Sequence, residues 1–223
     1  EIQRGGAALK DLAAIDVSGM DSRLSDVEII VACDVTNPLT GPKGATAVYG
    51  RQKGATEEMI EELDRALANY ARVIREQLHK DVEDVSGAGA AGGLGAGMLA
   101  FLNAALRPGV DIVIEATRLA DRVTGCDLVI TGEGRLDSQT SHGKTPMGVA
   151  RVARAQNVPV VGVAGQVAAD AEVLYDLGFF ALVPIADGPM TLEESFERAG
   201  ELLRRTGARI MRLIGLGASY RQA

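Results

Sequence analysis

The second half of the chain contains Asp127-Leu128-Val129-Ile130-Thr131, a short β-branched run that predicts a buried strand. Two further runs of the same kind follow at residues 158–163 and 179–183. Helical patterns separate the three runs: one begins with Thr145 as its N-cap, and the other covers residues 169–176. Strands that alternate with helices in this way are typical of a parallel, Rossmann-like sheet in an α/β protein.

The first half of the chain has a different pattern. Residues 27–33 predict a strand that ends at Asp34, and a loop rich in Gly and Pro follows it. Thr56 then caps a long predicted helix, because apolar residues recur every three or four positions after it. This half therefore combines strand and helix patterns without the regular alternation of the second half.

A Gly-rich segment at residues 86–97 leads into a predicted apolar helix at residues 98–106. Residues 110–123 predict a short extended piece followed by a helix. The regular alternation of strands and helices begins only after this point. We therefore expect two domains, with the boundary near residues 115–124.

The composition is that of a folded protein with an acidic surface. Of the 223 residues, 47% are hydrophobic and 24% are charged, and the formal net charge is −7. Nucleic-acid binding requires concentrated Lys and Arg, so the negative charge disfavours a nucleic-acid partner. No apolar run has the length of a membrane helix, and two distant cysteines are consistent with a reducing cytoplasm. We therefore expect a cytoplasmic protein that binds neither nucleic acid nor membranes.

The loop after the first predicted strand carries the first group of candidate ligands. Asp34 follows the strand end and Asn37 lies close behind it, so both are placed to hold Mg²⁺ or a substrate hydroxyl. Lys43, Arg51 and Lys53 then concentrate positive charge in this half of an acidic chain, which indicates an anionic ligand. The alternative is an Asx-turn at Asp34 with solvated lysines.

The Gly-rich segment is the second candidate site. Residues 87–92 match the pattern GxGxxG, but no convincing strand precedes them, so the match to a dinucleotide-binding motif is weak. Small residues at a helix N-terminus leave backbone N–H groups accessible, which predicts phosphate binding by Gly87, Gly89, Gly92 and Gly93. The alternative is close packing of a Gly/Ala helix against a neighbouring element.

The third candidate site is the segment after the strand at residues 127–131, where open α/β sheets bind their ligands. It concentrates carboxylates, cations and hydroxyls, namely Glu133, Arg135, Asp137, Thr140 and Lys144. His142 is best interpreted as a solvated loop residue. The end of the segment is similar to a P-loop, but Ser138 stands where that motif requires Gly, so the segment is not a P-loop.

Four segments in this order resemble the signatures of the type I bacterial glycerate kinase family: residues 34–39, 52–55, 87–95 and 131–140, the last followed by Gly143-Lys144. The resemblance covers essentially the whole chain. It has two departures, Arg51 and Ser86, at loop positions where the family usually has Pro. Both departures affect local backbone geometry rather than the assignment.

The resemblance implies a Rossmann-like domain built from both ends of the chain, with a second α/β domain inserted between them. Residues 1–118 would form most of the inserted domain, and residues 119–223 would form the C-terminal half of the Rossmann-like domain. The family's N-terminal motifs do not occur here, and the chain begins at Glu1 rather than at Met. We therefore expect an N-terminal segment that this sequence does not contain.

The resemblance also implies transfer of the γ-phosphoryl group of Mg-ATP to D-glycerate, giving 2-phosphoglycerate, with 3-phosphoglycerate left open. Residue chemistry then suggests the roles. Asp137 and Lys144 would be catalytic, Asp34 and Glu133 would bind Mg²⁺, and substrate or phosphate would contact Asn37, Lys43, Lys53, Gly87, Gly89, Gly92, Gly93, Arg135 and Thr140. The expected partners are ATP, the hydroxy acid, the missing N-terminal segment and a second copy of the chain. The alternatives are a dinucleotide-binding oxidoreductase and a non-catalytic nucleotide-binding module.

Overall fold

The computed structural model describes residues 2–141 and 143–220. Its internal contacts divide the chain into two compact units, Glu1–Gly109 and Val110–Ala223. The break in contacts falls before the boundary expected after residue 118. The physical reason is packing, because the side chains of Val110 and Ile114 lie directly against Gly148 in the second unit.

The first unit is a mixed α/β structure with a small parallel sheet. Strand β1 (Ile30–Ala32) pairs with β2 (Ala105–Arg107) in parallel. The helices of this unit are α1 (Ala45–Tyr49), α2 (Glu57–Leu78) and α3 (Leu94–Leu102). The predicted strand at residues 27–33 is thus confirmed in shorter form. The helix predicted at residues 98–106 instead begins at Leu94 and ends where Asn103 adopts a left-handed conformation.

Helix α2 organises the core of the first unit. Thr56 caps it as predicted, because the Thr56 side chain accepts the Met59 N–H at 3.3 Å. Its buried face packs into an apolar cluster with residues from the loop before α1 and from α3. The cluster consists of Leu39, Ala45, Leu67, Ala71, Ile74, Val82, Ala88, Ala96 and Ala100. This core holds the loop after β1 and the Gly-rich segment in place.

The second unit contains a parallel sheet with the order β3-β4-β5. Its strands are β3 (Val129–Leu136), β4 (Val160–Val167) and β5 (Phe179–Pro184). Its helices are α4 (Gly109–Ala116), α5 (Leu119–Val123), α6 (Thr145–Ala155), α7 (Val173–Asp176), α8 (Leu192–Glu197) and α9 (Ala199–Tyr220). The prediction of an extended piece within residues 110–123 is wrong, because α4 and α5 occupy that region.

Both faces of the sheet are covered along β4, as the apolar run in the sequence predicts. Val160 and Ala164 point to one face, where they join a cluster with Leu136, Leu174 and Phe179. Val161 and Val163 point to the opposite face and pack with Ile185, Leu202 and Ile210. Successive side chains of a strand alternate between faces, so one strand supplies two cores.

Strand β3 is longer than its sequence suggests, and this matters for the site. Its pairing with β4 continues from Gly132↔Val163 to Leu136↔Val167, although residues from Gly132 onward were expected in a loop. Gly132 permits this pairing because the Val163 carbonyl lies where a side chain would be. Helix α6 then begins after Lys144, which is its N-cap in place of the expected Thr145.

The sequence also predicts a capping box at Thr191 and Glu194, and the structure confirms it. The Glu194 N–H donates to the Thr191 hydroxyl at 3.2 Å, and the Thr191 N–H donates to the Glu194 carboxylate at 2.8 Å. This box opens α8 rather than the last helix, since α9 follows it. Among the described residues, no helix is long and apolar enough to cross a membrane.

Candidate functional site

The carboxyl end of β3 gathers a cluster of charged side chains. The Lys144 ammonium lies 3.7 Å from a Glu133 carboxylate oxygen and 3.6 Å from an Asp137 oxygen. The other Asp137 oxygen lies 3.1 Å from Nε of Arg135. The structure thus brings together four residues that the sequence predicted as one site.

Regular elements position these four side chains. Glu133 and Arg135 stand two residues apart on β3, so they share one face of the strand. Asp137 follows the strand directly, and Lys144 caps α6 after the 3₁₀ turn Ser138–Ser141. Because the helix N-terminus carries partial positive charge, Lys144 and the start of α6 both favour an anion at this end of the sheet.

Thr140 lies beneath the cluster. It was predicted to contact substrate or phosphate, and in this structure its side chain is fully buried. Its hydroxyl donates to Glu133 at 2.9 Å and accepts the Asp137 N–H at 3.2 Å. Thr140 therefore holds the two carboxylate-bearing residues from beneath the cluster.

The sequence did not single out a further contact, between Ser138 and Asp170. The Ser138 hydroxyl donates to the Asp170 carboxylate at 2.6 Å, and this hydrogen bond lowers the pKa of Asp170. Asp170 lies in a 3₁₀ turn that follows β4. The carboxyl ends of neighbouring parallel strands meet at one edge of a sheet, so the turn after β4 could have been searched for such a partner.

The cluster is accessible to a ligand and has the donors that Mg²⁺ requires. The side chains of Asp137, Glu133 and Lys144 are 15%, 23% and 41% exposed. Within residues 2–141 and 143–220, no group of three or more His, Cys, Asp or Glu side chains could hold a metal alone. Mg²⁺ commonly takes one or two carboxylates together with substrate phosphates, so Glu133 and Asp137 fit its requirements. His142 lies outside the described residues.

A groove of about 1160 Å³ lies beside β3 in the second unit. Its floor is formed by residues 130–135 of β3 and by the end of β4, and α8 and α9 form its walls. Several large apolar side chains in it are exposed, including Ile130, Leu192, Phe196 and Leu203. Exposed apolar surface of this kind commonly marks an interaction site.

In the first unit, Asp34 and Asn37 bind backbone groups of their own chain. The Asp34 carboxylate accepts the Gly109 N–H at 2.8 Å, at the first residue of α4. The Asn37 amide nitrogen donates to the Lys43 carbonyl at 2.8 Å, and its oxygen accepts the Tyr49 hydroxyl at 2.7 Å. These contacts stabilise a helix start and a loop, and the Asp34 contact joins residues 75 apart, so it is not the local Asx-turn considered for this segment.

The Gly-rich segment also uses much of its backbone internally. The N–H groups of Gly89, Gly92 and Gly93 donate to carbonyls of Asn37, Gly89 and Ala90. A side chain at Gly87 would meet the Cys33 sulfur, and one at Gly89 would meet the Pro38 carbonyl. A side chain at Gly93 would lie 3.1 Å from both Leu39 and Leu67. Close packing therefore accounts for these three glycines, whereas Gly92 faces open space near Lys53.

Lys43 and Lys53 remain available for an anionic ligand. Both are exposed, and neither has a carboxylate partner in the described part of the chain. Arg51, the third cation of this segment, is occupied, because its guanidinium forms two hydrogen bonds to Glu57 at 2.7 and 2.8 Å. The expected cation cluster thus reduces to two free lysines.

Comparison with known proteins gives one consistent result. The model of the glycerate kinase family matches residues 1–215. A glycerate kinase from Bacillus subtilis (strain 168) is 52% identical over 97% of this chain and 56% of its own length. A glycerate 2-kinase from Escherichia coli (strain K12) is 49% identical over 97% of this chain and 57% of its own length.

A solved structure agrees with these relatives. It comes from Salmonella typhimurium LT2 and is provisionally named glycerate kinase 2. It superposes with a TM-score of 0.83 at 49% sequence identity, covering 98% of this chain and 57% of the other. The chain therefore spans little more than half the length of the relatives it matches.

Proposed function

Because the chain belongs to the glycerate kinase family, we propose that its protein transfers the γ-phosphoryl group of ATP to a hydroxyl of D-glycerate. The product is 2-phosphoglycerate, in keeping with the name of the Escherichia coli relative. The observation that carries the proposal is the cluster of Glu133, Asp137 and Lys144 at the carboxyl end of β3. Phosphoryl transfer depends on positioning and on neutralising charge, and this cluster offers both.

In this reaction the substrate hydroxyl oxygen forms a bond to the γ-phosphorus, while the bond to the β-phosphate oxygen breaks and ADP leaves. Asp137 accepts the hydroxyl proton as general base, and Arg135 orients the Asp137 carboxylate through its other oxygen. Lys144 neutralises negative charge on the transferring group, with help from the N-terminus of α6. When bound, Mg²⁺ would supply further positive charge to the phosphates, and Glu133 would hold it.

We further propose that the second unit is the C-terminal half of a Rossmann-like domain, with the first unit as its inserted domain. Relatives are longer than this chain, and the groove beside β3 leaves apolar residues of α8 and α9 exposed. β3 is also an edge strand among the described residues. The N-terminal segment of the complete protein would pair with β3 and fill this groove, since parallel strands are normally covered on both sides.

The two alternatives receive less support. A dinucleotide-binding oxidoreductase would need a strand directly before the Gly-rich segment, and the described residues 79–89 contain none. A non-catalytic nucleotide-binding module would not need acidic groups such as Glu133 and Asp137 beside a lysine. A cytoplasmic location and a homodimer stay predictions, and light scattering of the complete protein measures the second.

The proposal is tested on the full-length enzyme by coupled ADP release with D-glycerate and a panel of small hydroxy acids. Asp137→Asn should lower kcat about 10²-fold, the usual scale for a positioned acid–base group, with little change in KM for glycerate. Asp121→Asn is the matched control, because Asp121 of α5 makes an exposed ion pair with Arg118, which precedes the helix. Near-normal turnover of Asp137→Asn would show that Asp137 only supports the turn. NAD(P)H oxidation without ADP release would instead support the oxidoreductase.

A further inference from the structure

The backbone on both sides of Asp137 is attached to the 3₁₀ turn that follows β4. Before Asp137, the Leu136 carbonyl accepts the Ala168 N–H at 2.9 Å. After Asp137, the Ser138 hydroxyl donates to the Asp170 carboxylate at 2.6 Å. The same short segment therefore holds both neighbours of the residue that serves as general base in the proposed reaction.

The two attachments to this segment complement the contacts within the turn after β3. The Asp137 N–H donates to the Thr140 hydroxyl, and the Thr140 N–H donates to the Asp137 carbonyl at 3.0 Å. Both hydrogen bonds fix the shape of the turn, but neither fixes its placement relative to β4. With the Leu136 attachment alone, the turn could rotate about the backbone of Asp137. The hydrogen bond from Ser138 to Asp170 removes that freedom.

The segment that carries Asp170 is itself held by core packing. Ala171 and Leu174 follow Asp170 and are buried in the same apolar cluster as Leu136. Close-packed interiors yield little and transmit displacements. The exposed side chain of Asp170 therefore extends from a base that packing keeps in place.

The hydrogen bond between Ser138 and Asp170 has the length of a charge-assisted one, which is about 2.5–2.7 Å for a hydroxyl and a carboxylate. The pKa of Asp170 is lowered chiefly by this hydrogen bond and to a smaller extent by the positive charge of Arg135. Asp170 is therefore ionised at neutral pH and accepts the Ser138 hydroxyl as a carboxylate. Because Arg135 also contacts the Asp137 carboxylate, its charge acts on both acids.

We propose that Asp170 is a positioning residue for the phosphoryl transfer, and that through Ser138 it holds the Asp137 carboxylate where it accepts the proton of the substrate hydroxyl. The assignment rests on the proposed function. Asp170 acts through Ser138 and needs no contact with the substrate. Misplacing a catalytic group by about 1 Å can lower the rate about 100-fold, so the loss of Asp170 should lower kcat rather than weaken substrate binding.

The test uses steady-state kinetics of the full-length enzyme, and ADP release by the wild type with D-glycerate is measured first. Failure of that reaction contradicts the proposed function itself. Asp170→Ala and Ser138→Ala should each lower kcat about 10-fold, with both KM values changed less than about 2-fold. Asp170→Asn keeps an oxygen that accepts the Ser138 hydroxyl and should recover most of kcat. Glu172→Ala is the matched control, since it removes an exposed acidic side chain from the same 3₁₀ turn, and it should leave kcat unchanged.

A double variant shows whether Ser138 and Asp170 act as one unit. Removing the second partner of a hydrogen bond that is already lost should cost nothing more, so Ser138→Ala combined with Asp170→Ala should lower kcat no further than either change alone. Losses that multiply in the double variant would overturn the assignment. A wild-type kcat in Asp170→Ala would overturn it as well.

Hydrogen exchange gives a readout that does not depend on activity. The peptide of residues 137–141 should exchange faster in Asp170→Ala and in Ser138→Ala than in the wild type, and at the wild-type rate in Glu172→Ala, as followed by mass spectrometry. Unchanged exchange in Asp170→Ala would contradict the positioning role even in a protein that releases no ADP. Thermal melts of each variant separate these results from unfolding.

Discussion

Thr140 contacts both acidic residues of the charged cluster at the carboxyl end of β3. One buried hydroxyl both donates to Glu133 and accepts the Asp137 N–H, so its loss leaves two polar groups without their partner. Water cannot easily replace the hydroxyl on the buried side of the cluster, because Thr140 is fully buried. The Thr140 hydroxyl therefore helps to fix the positions of both Glu133 and Asp137.

Thr140→Val preserves the shape of the side chain and removes the hydroxyl. We expect kcat of the full-length enzyme to fall roughly 10–100-fold, the equivalent of one or two lost hydrogen bonds, with smaller changes in both KM values. Thr140→Ser keeps the hydroxyl and should retain most of the activity. Steady-state kinetics on the two variants decide the point. Equal activity in Val and Ser variants would mean that the Glu133 and Asp137 positions do not depend on this hydroxyl.

Ser138→Ala should raise the pKa of Asp170 toward its ordinary value, since the hydrogen bond from Ser138 is the largest cause of its lowering. A lowered folded-state pKa stabilises the protein above the unfolded-state pKa, and that stabilisation disappears as pH falls through the folded value. The variant should therefore lose less stability on acidification than the wild type. Carboxyl NMR titration measures the pKa. Asp16 is the internal control, because a hydrogen bond from Ser18 lowers its pKa in the same way. The pKa of Asp16 should not change in the Ser138→Ala variant.

For single residues, the sequence predicts which side chains can take part in a reaction better than it predicts what each of them does. Glu133, Asp137 and Lys144 could be assigned to one site because a single segment carries them all. The contact of Asp34 with the Gly109 N–H could not be predicted in the same way, since Gly109 lies far along the chain. Thr140 is a residue type that often contacts ligands, and only the structure shows that it is buried beneath Glu133 and Asp137.

Close packing fixes much of the shape of the Gly-rich segment. Gly89→Ala would place a methyl group against the Pro38 carbonyl, so the loop after β1 must move. We expect a loss of at least about 1–3 kcal/mol in the free energy of unfolding, the range for overpacking, measured by denaturant titration. Gly134→Ala is the control, because nothing lies within 4 Å of its added methyl group. A Gly89→Ala variant as stable as Gly134→Ala would contradict the packing explanation.

Long elements with strong patterns were predicted well, and short ones were not. Helix α2 has both an N-cap at Thr56 and a continuous apolar face, so its type and start follow from the sequence. Strand β2 has only three residues and follows the turn after α3, so no alternation could reveal it. The length of β3 depends on pairing with β4, which local sequence does not encode.

At the scale of the whole 223-residue chain, the exposed groove beside β3 determines how strongly the isolated chain associates with itself. We expect this chain, expressed alone, to self-associate through the exposed apolar residues of the groove. Phe196→Glu places a charge in the groove and should reduce association, as followed by light scattering. Phe180→Glu is a matched control, since Phe180 is 78% exposed against 72% for Phe196 and does not line the groove. Equal effects of both substitutions would point to general surface hydrophobicity instead.

The members of the charged cluster lie close together along the chain, and this affects the order in which the protein folds. Glu133 lies on β3 and Lys144 is the N-cap of α6, so the two residues are close to each other along the chain. The entropy of closing a loop grows with its length, so bringing these two residues together is inexpensive compared with any contact between distant parts of the chain. The charged cluster can therefore assemble as soon as β3 and α6 pack against each other.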